Sequence, residues 1–229
     1  MKVRIKFAKD GVMKYIGHLD IMRYFQKCMR KADVDIAYSS GFSPHQIMSF
    51  ASPLGVGVES NGEYFDIELN SGNAKSVMDS LNAVMVDGMR ILSVTKLPDG
   101  VKNAMASIAA ARYTVIMKEG FEQENTDDSK VDDFLKREHI NIIKQTKKNE
   151  IEFDLRPHIY EFSYDKNAYK MLIDASSSGN IKPLSVIEEY ARFCGKEITP
   201  TKYQIIREEF YTYDDNNEFV PLEALGEDF

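Results

Sequence analysis

The apolar spacing of this chain switches between a period of two and a period near 3.6, and does so in both halves. That rhythm restricts it to folds that interleave strands with helices. Residues 2–7 alternate, with Val3, Ile5 and Phe7 on one strand face and Lys2, Arg4 and Lys6 on the other. Over residues 18–32 the spacing lengthens: Leu19, Met22, Phe25 and Met29 predict a helix with one apolar face. Asp20 falls in its first turn and Arg30 and Lys31 in its last, where the helix dipole favours each charge. Residues 36–39 and 46–51 predict short strands and 64–69 a longer one. Residues 73–85 predict a second helix with Val77, Leu81, Val84 and Met85 inward, and 90–96 a closing strand. The turn Pro98-Asp99-Gly100 marks the end of this half.

The second half repeats the order. After the alanine-rich residues 104–111, a strand is predicted at 112–117, a polar surface loop at 119–130 and a short helix at 131–138. Residues 142–147 and 150–154 predict adjacent strands, and 160–164 with 169–174 a hairpin around Asp165-Lys166-Asn167. Pro183 opens a helix over 183–193, where its missing amide proton is harmless, and Gly195 stops it. Residues 203–211 predict a last strand. Each half therefore approximates βαββαβ. The expected class is α+β, with two ferredoxin-like halves packed together: residues 1–100 with a shaped loop at 38–57, and residues 101–229 with an acidic tail. A single α+β domain with irregular strand order is the alternative.

Composition bears on function mainly by exclusion. Two cysteines, Cys28 and Cys194, cannot supply a disulfide framework, an iron–sulfur ligand set or a multi-cysteine zinc site. Cys28 follows the apolar side of its helix and reads as core. No run approaches 18 apolar residues, so no membrane association is expected, and a cytoplasmic location is the plain reading. No cofactor and no metal is expected.

The net charge of -7 hides an asymmetry. The first 45 residues carry a basic excess, whereas residues 208–229 hold eight acids and no base. Arg23, Lys27, Arg30 and Lys31 recur at three- to four-residue spacing on the polar side of the first helix, after Lys14 and Tyr15. Such a stripe can hold phosphates, and Tyr15, Tyr38 or Phe42 can stack on an unpaired base. The plainer reading is a solvated helix face. The tail reads either as a solvated terminus or as a segment packed near the basic face.

The stretch Tyr38-Ser39-Ser40-Gly41-Phe42-Ser43-Pro44-His45, continued through Pro53 to Gly57, combines hydroxyls, an imidazole, prolines and glycines. It reads as a shaped loop able to wrap an anion or nucleotide. It is neither a P-loop nor a dinucleotide fingerprint, and no nucleophile elbow surrounds its serines. His18 and His45, with Glu59, Glu63 and Asp66 beyond them, form a candidate proton-transfer or weak metal site if the strands bring them together. The structural alternative is a histidine that braces the loop. Asp154-Leu155-Arg156-Pro157 reads as a bend fixed by an Asp–Arg pair, and residues 174–180 as an anion-binding or purely structural turn.

These motifs also carry a resemblance. Lys14-Tyr15-Ile16-Gly17-His18-Leu19-Asp20, Arg23-Tyr24-Phe25, Arg30-Lys31-Ala32, the 38–45 loop and Ser49-Phe50-Ala51-Ser52-Pro53-Leu54 resemble the radical-SAM-linked family of bacterial proteins. The Asp154 and Ser178-Gly179-Asn180-Ile181-Lys182-Pro183 motifs extend it. The chain departs from the family pattern at Ser43 and Gln46. The resemblance implies association with a radical-SAM protein. The chain lacks that enzyme's CxxxCxxC motif and would act as its accessory.

The expected function is binding of a phosphate-bearing substrate, RNA among the candidates, for that partner. Lys14, Tyr15, Arg23, Lys27, Arg30, Lys31, Ser39 and Phe42 would form the binding surface. One alternative is an enzyme using His18 and His45 with Glu59 and Glu63. The other is a structural adaptor without a ligand site.

Overall fold

The computed structural model describes residues 1–121, 128–145, 150–165 and 167–229. The sequence readings of a loop over 119–130, a strand to 147 and a turn through Lys166 extend in part outside the described residues. The chain is a mixed α+β protein in which strands outnumber helices. It divides into two compact units, Met1–Ala109 with Arg207–Phe229, and Ala110–Ile206.

The first unit runs β1 (Lys2–Lys9), α1 (His18–Lys31), β2 (Met48–Phe50), β3 (Glu59–Glu68), α2 (Ala74–Asn82), β4 (Met89–Lys96) and a short α3 (Ala104–Ser107). β1 lies between β4 and β3 and is antiparallel to both, while β2 pairs antiparallel with β3. A late strand, β10 (Tyr203–Tyr213), also borders β3, through its part beyond residue 206. It carries β11 (Phe219–Pro221) on its antiparallel flank.

Alternation in β1 and β3 sends Val3, Ile5, Phe7, Phe65 and Ile67 into a core with Phe25 and Met29 of α1 and Val77 and Leu81 of α2. Aromatic rings fill its centre, with Phe25 4.6 Å and Phe50 4.9 Å from Phe65 between centroids. The buried stripe of α1 is Ile21, Phe25, Cys28 and Met29. Leu19, expected inward, is exposed, because the stripe begins on Ile21. α2 starts on a capping box between Asn73 and Ser76 and ends sooner than its apolar pattern predicts.

The other face of β1 is not left to water. The Arg4 guanidinium forms two hydrogen bonds to the Asp66 carboxylate, at 2.8 and 3.0 Å, and donates to the carbonyls of Lys102 and Leu222. Lys6 meets Glu209 at 2.5 Å and Glu223 at 2.6 Å, and the Tyr64 hydroxyl donates to Glu209. The acidic C-terminal segment is thus part of the first unit, paired to β1 rather than to the basic stripe of α1. Its Glu227 exchanges backbone hydrogen bonds with Lys96.

The second unit runs β5 (Ala110–Met117), α4 (Val131–Leu135), β6 (Asn141–Gln145), β7 (Glu150–Asp154), β8 (Ile159–Asp165), β9 (Ala168–Asp174), α5 (Pro183–Phe193) and the opening of β10. β9 lies between β5 and β8, antiparallel to both, and residues 203–206 border β5. β6 and β7 form a separate antiparallel pair. Phe134, Phe162, Tyr169 and Tyr190 pack as this unit's aromatic core. Asp154 and Arg156 do not pair through their side chains. Asp154 accepts from the Ile140 and Arg156 amides and from His139, while Arg156 donates to the Leu135 and Ile159 carbonyls. The 174–180 turn closes on itself, with Asp174 bonded to the Ser176 amide and to His158.

Among the described residues, no helix is long and apolar enough to cross a membrane.

Candidate functional site

The first helix carries the predicted basic face. Arg23, Lys27, Arg30 and Lys31 are all exposed, because the apolar stripe turns the opposite side of α1 to the sheet. Arg23 pairs with Asp20 at 3.2 Å, in a solvent-exposed contact that constrains neither group much. Lys27, Arg30 and Lys31 form no ion pair among the described residues. Lys14 differs from them. It is mostly buried, bonded to Glu59 at 2.8 Å and held 5.6 Å from the centre of the Tyr15 ring. Its charge is neutralised locally, and Glu59 serves as its partner.

Around the start of α1 the surface is apolar. Val12, Tyr15, Leu19 and Val56 are each about two-thirds exposed or more. The Gly57 amide bonds to the Lys14 carbonyl, which sets the Val56 turn against this segment.

His18 and His45 do not meet in one site. His18 opens α1 and stands edge-on to Phe50, 5.7 Å between centroids. With Lys9 and Glu63 it lines a cavity of about 20 Å³, room for about one water molecule. Behind it, Glu63 is buried and bonded to Arg207 at 2.9 Å, and Lys9 is buried with its ammonium on the Ile16 carbonyl. Burial pushes the Glu63 carboxyl above its ordinary range, against the opposing pull of Arg207. Burial also lowers the Lys9 ammonium. Lys9 and Arg207 escape the sequence reading, although for Lys9 a signal exists. Lys9 has the same parity as Val3, Ile5 and Phe7, and Glu63 the same as Phe65 and Ile67, so both fall on core-facing positions.

His45 stands in the 38–47 loop, where Ser39 Oγ lies 2.9 Å from its Nδ1 and accepts from its backbone amide. This pair closes the loop, together with the Ser39 amide on the His45 carbonyl. Phe42 sits at the tip, fully exposed. Next to His45, a cavity of about 280 Å³ opens beside β2 and β3, lined by Gln46, Met48 and Glu68 among others. Among the described residues, no three His, Cys, Asp or Glu side chains are grouped to hold a metal.

Residues 2–183 match the model of the family described as "uncharacterized protein conserved in bacteria" (DUF2344). The chain belongs to DUF2344. The match takes in α1 with its basic face, the 38–47 loop and the lining of both cavities up to Asn103, whereas Arg207 lies beyond it. No curated protein matches the chain.

Proposed function

We propose that this protein is an accessory factor that binds a phosphate-bearing substrate, RNA in the first instance, for a radical-SAM partner enzyme. The observation that carries the reading is the exposed row Arg23, Lys27, Arg30 and Lys31, three of whose cations form no ion pair among the described residues. Cations left in solvent on a rigid helix can exchange their counterions for phosphates. Tyr15 and Phe42 add exposed rings on which an unpaired base can stack. The apolar surface of Val12, Leu19 and Val56 suits docking of the partner. The separation of His18 from His45 favours binding over acid–base catalysis by that pair.

The strand order favours the finer fold reading. In the first unit, β1 is flanked by β4 and β3, and β2 pairs with β3; in the second, β5 is flanked by β10 and β9, and β8 pairs with β9. Both correspond to the order expected of a ferredoxin-like βαββαβ unit.

Filter binding of single-stranded RNA across a salt series tests the function. The wild-type slope of log affinity against log salt should fall by about 0.7 for each phosphate that the chain no longer neutralises, so Arg23→Ala with Lys27→Ala should flatten it by about 1.4. Absence of RNA binding, by the chain and by its complex with the partner alike, refutes the reading.

A further inference from the structure

We propose that the groove between the β6–β7 hairpin and the start of α5 binds a phosphate monoester, the doubly charged group that ends a small organic ester or an RNA strand. The groove is a cavity of about 230 Å³ within the second unit, below the usual range for drug-sized ligands, which suits a small one. Ile142, Leu155 and Ile181 give it apolar walls. Its polar lining is Lys144, Asn180, Lys182 and Ser185, with no acid among the described residues. The Lys182 ammonium, the Asn180 carboxamide and the Ser185 hydroxyl have no hydrogen bond or ion pair among the described residues. Lys144 donates to the Gly179 carbonyl at 2.9 Å, and its ammonium stands 4.5 Å from the centre of the Phe153 ring. An ammonium has three N–H donors, so Lys144 keeps others for a ligand.

The local fold brings these cations together and keeps acids away. Ile142 pairs with Phe153 and Lys144 with Ile151, so all four share one face of the hairpin. Glu152 and Asp154, paired with Ile143 and Asn141, fall on the opposite face. The bond from Lys144 to Gly179 turns the first face to the 174–180 turn. The acid of that turn, Asp174, is buried and bonded to the Ser176 amide and to His158, and it pairs with neither lysine. The helix end supplies little by itself. Pro183 has no amide proton, and the Ser185 amide is spent on the Lys182 carbonyl. Side chains from the hairpin, the turn and α5 carry the site.

Two ammonium groups without a counter-charge match a dianion. A phosphate monoester carries about two negative charges at neutral pH, whereas a sulfate ester, a carboxylate or a backbone phosphodiester carries one. Lysine meets phosphate as a point charge and needs none of the bidentate geometry that an arginine offers a carboxylate. Ser185 and Asn180 add neutral donors for the remaining phosphoryl oxygens. The apolar walls suit the organic body of the ester. The inference goes beyond the proposed function, because the groove shares no residue with the basic face of α1 and stands whether or not that face binds RNA. The monoester can come from a small free ester or from the 5′-phosphate end of an RNA.

Calorimetric titration of the full chain with phenyl phosphate and phenyl sulfate tests it. Phenyl phosphate should bind at least tenfold more tightly than phenyl sulfate, and its affinity should fall as salt rises. Lys182→Ala should weaken phenyl phosphate by tenfold or more, and Ser185→Ala should weaken it to a smaller extent. Lys182 is exposed, so Lys182→Ala should keep the wild-type thermal midpoint, and Ser185→Ala serves if it does not. Phenyl phosphate should bind Arg23→Ala with Lys27→Ala as it binds the wild type, which separates this groove from the face of α1. In that double variant, a short single-stranded RNA with a 5′-phosphate, titrated beside the same RNA with a 5′-hydroxyl, separates the two sources. Preference for the 5′-phosphate, abolished by adding Lys182→Ala, assigns the source as an RNA end. Equal affinity of the two RNAs, with phenyl phosphate bound, assigns a small free ester. No binding of either phenyl phosphate or the 5′-phosphate RNA at millimolar concentration overturns the proposal. Equal binding of phenyl sulfate, wild-type affinity in both groove variants, or loss of phenyl phosphate in the α1 double variant does the same.

Discussion

Single residues in this protein carry unusually large electrostatic responsibilities. Glu63 is the clearest case, a carboxylate buried in the first unit with Arg207 against it and Lys9 nearby. Removing one member of such a pair leaves a charge without its partner. Arg207→Met should therefore destabilise the chain by about 3–5 kcal/mol, and adding Glu63→Gln should recover much of that stability. Urea denaturation of both variants checks this, and an equally unstable double variant would refute the coupling.

Asp154 sets a pH window in the second unit. Burial works to raise its pKa, but the hydrogen bonds from His139 and from the Ile140 and Arg156 amides hold it at about 2, below the ordinary 3.8. The same hydrogen bond raises His139 above 6.5. The depressed Asp154 contributes stability above its unfolded value, and this is lost as pH falls toward 2. The raised His139 contributes below 6.5, and this is lost as pH rises through its folded value. The pair thus stabilises most between about pH 4 and 6.5. Asp154→Asn should flatten the dependence of the denaturation midpoint on pH over both limbs, and an unchanged profile would show that the pair does not form in solution.

At the scale of elements, local pattern and long-range packing differ in legibility. α1 and α5 are readable almost to the residue, because apolar period, dipole charges and the proline at the start of α5 agree. β3 is readable only from its Tyr64 half. Its first residues have no alternating apolar pattern, because Asn61 and Gly62 lie against β10 and the core-facing position at Glu63 holds a carboxylate paired with Arg207 of that strand. Gly62 shows the constraint. A Cβ there would sit 2.7 Å from the Glu208 carbonyl oxygen and 2.8 Å from the Glu209 Cα. Gly62→Ala should cost about 1–3 kcal/mol, the usual penalty of overpacking. Asn73→Ala, which removes the cap of α2, should cost about 1 kcal/mol. Thermal unfolding separates these from surface substitutions, which should fall within about 0.5 kcal/mol.

The whole molecule explains why the candidate site is only half visible in the sequence. The basic face of α1 is local and legible as a spacing. The cavity beside β2 joins residues 2, 45–49, 66–68, 97, 101 and 103, so no window of sequence contains it. Gln46 stands out in sequence only as a departure from a family pattern. The place of the acidic tail is hidden for the same reason, since its partners Lys6 and Lys96 lie far away along the chain. Deleting residues 222–229 should destabilise the first unit by about 3 kcal/mol or more. It removes the fully buried Leu222 and the pairing of Glu223 with Lys6. Glu227→Gln, at an exposed ion pair, should shift stability by less than about 1 kcal/mol. Denaturant midpoints distinguish the two, and a deletion no worse than Glu227→Gln would place the tail outside the folded unit.

One strand has a consequence in time. β10 begins in the second unit and ends in the first. A ribosome therefore releases residues 1–109 well before residues 207–229, which complete the same unit. Until the later segment emerges, β3 keeps an unpaired edge over its Glu63 half, and Arg4 and Lys6 wait without some of their partners. A nascent chain in that state is a substrate for chaperones and for edge-to-edge association. The order of synthesis, as much as the sequence of residues, governs how this protein reaches its final form.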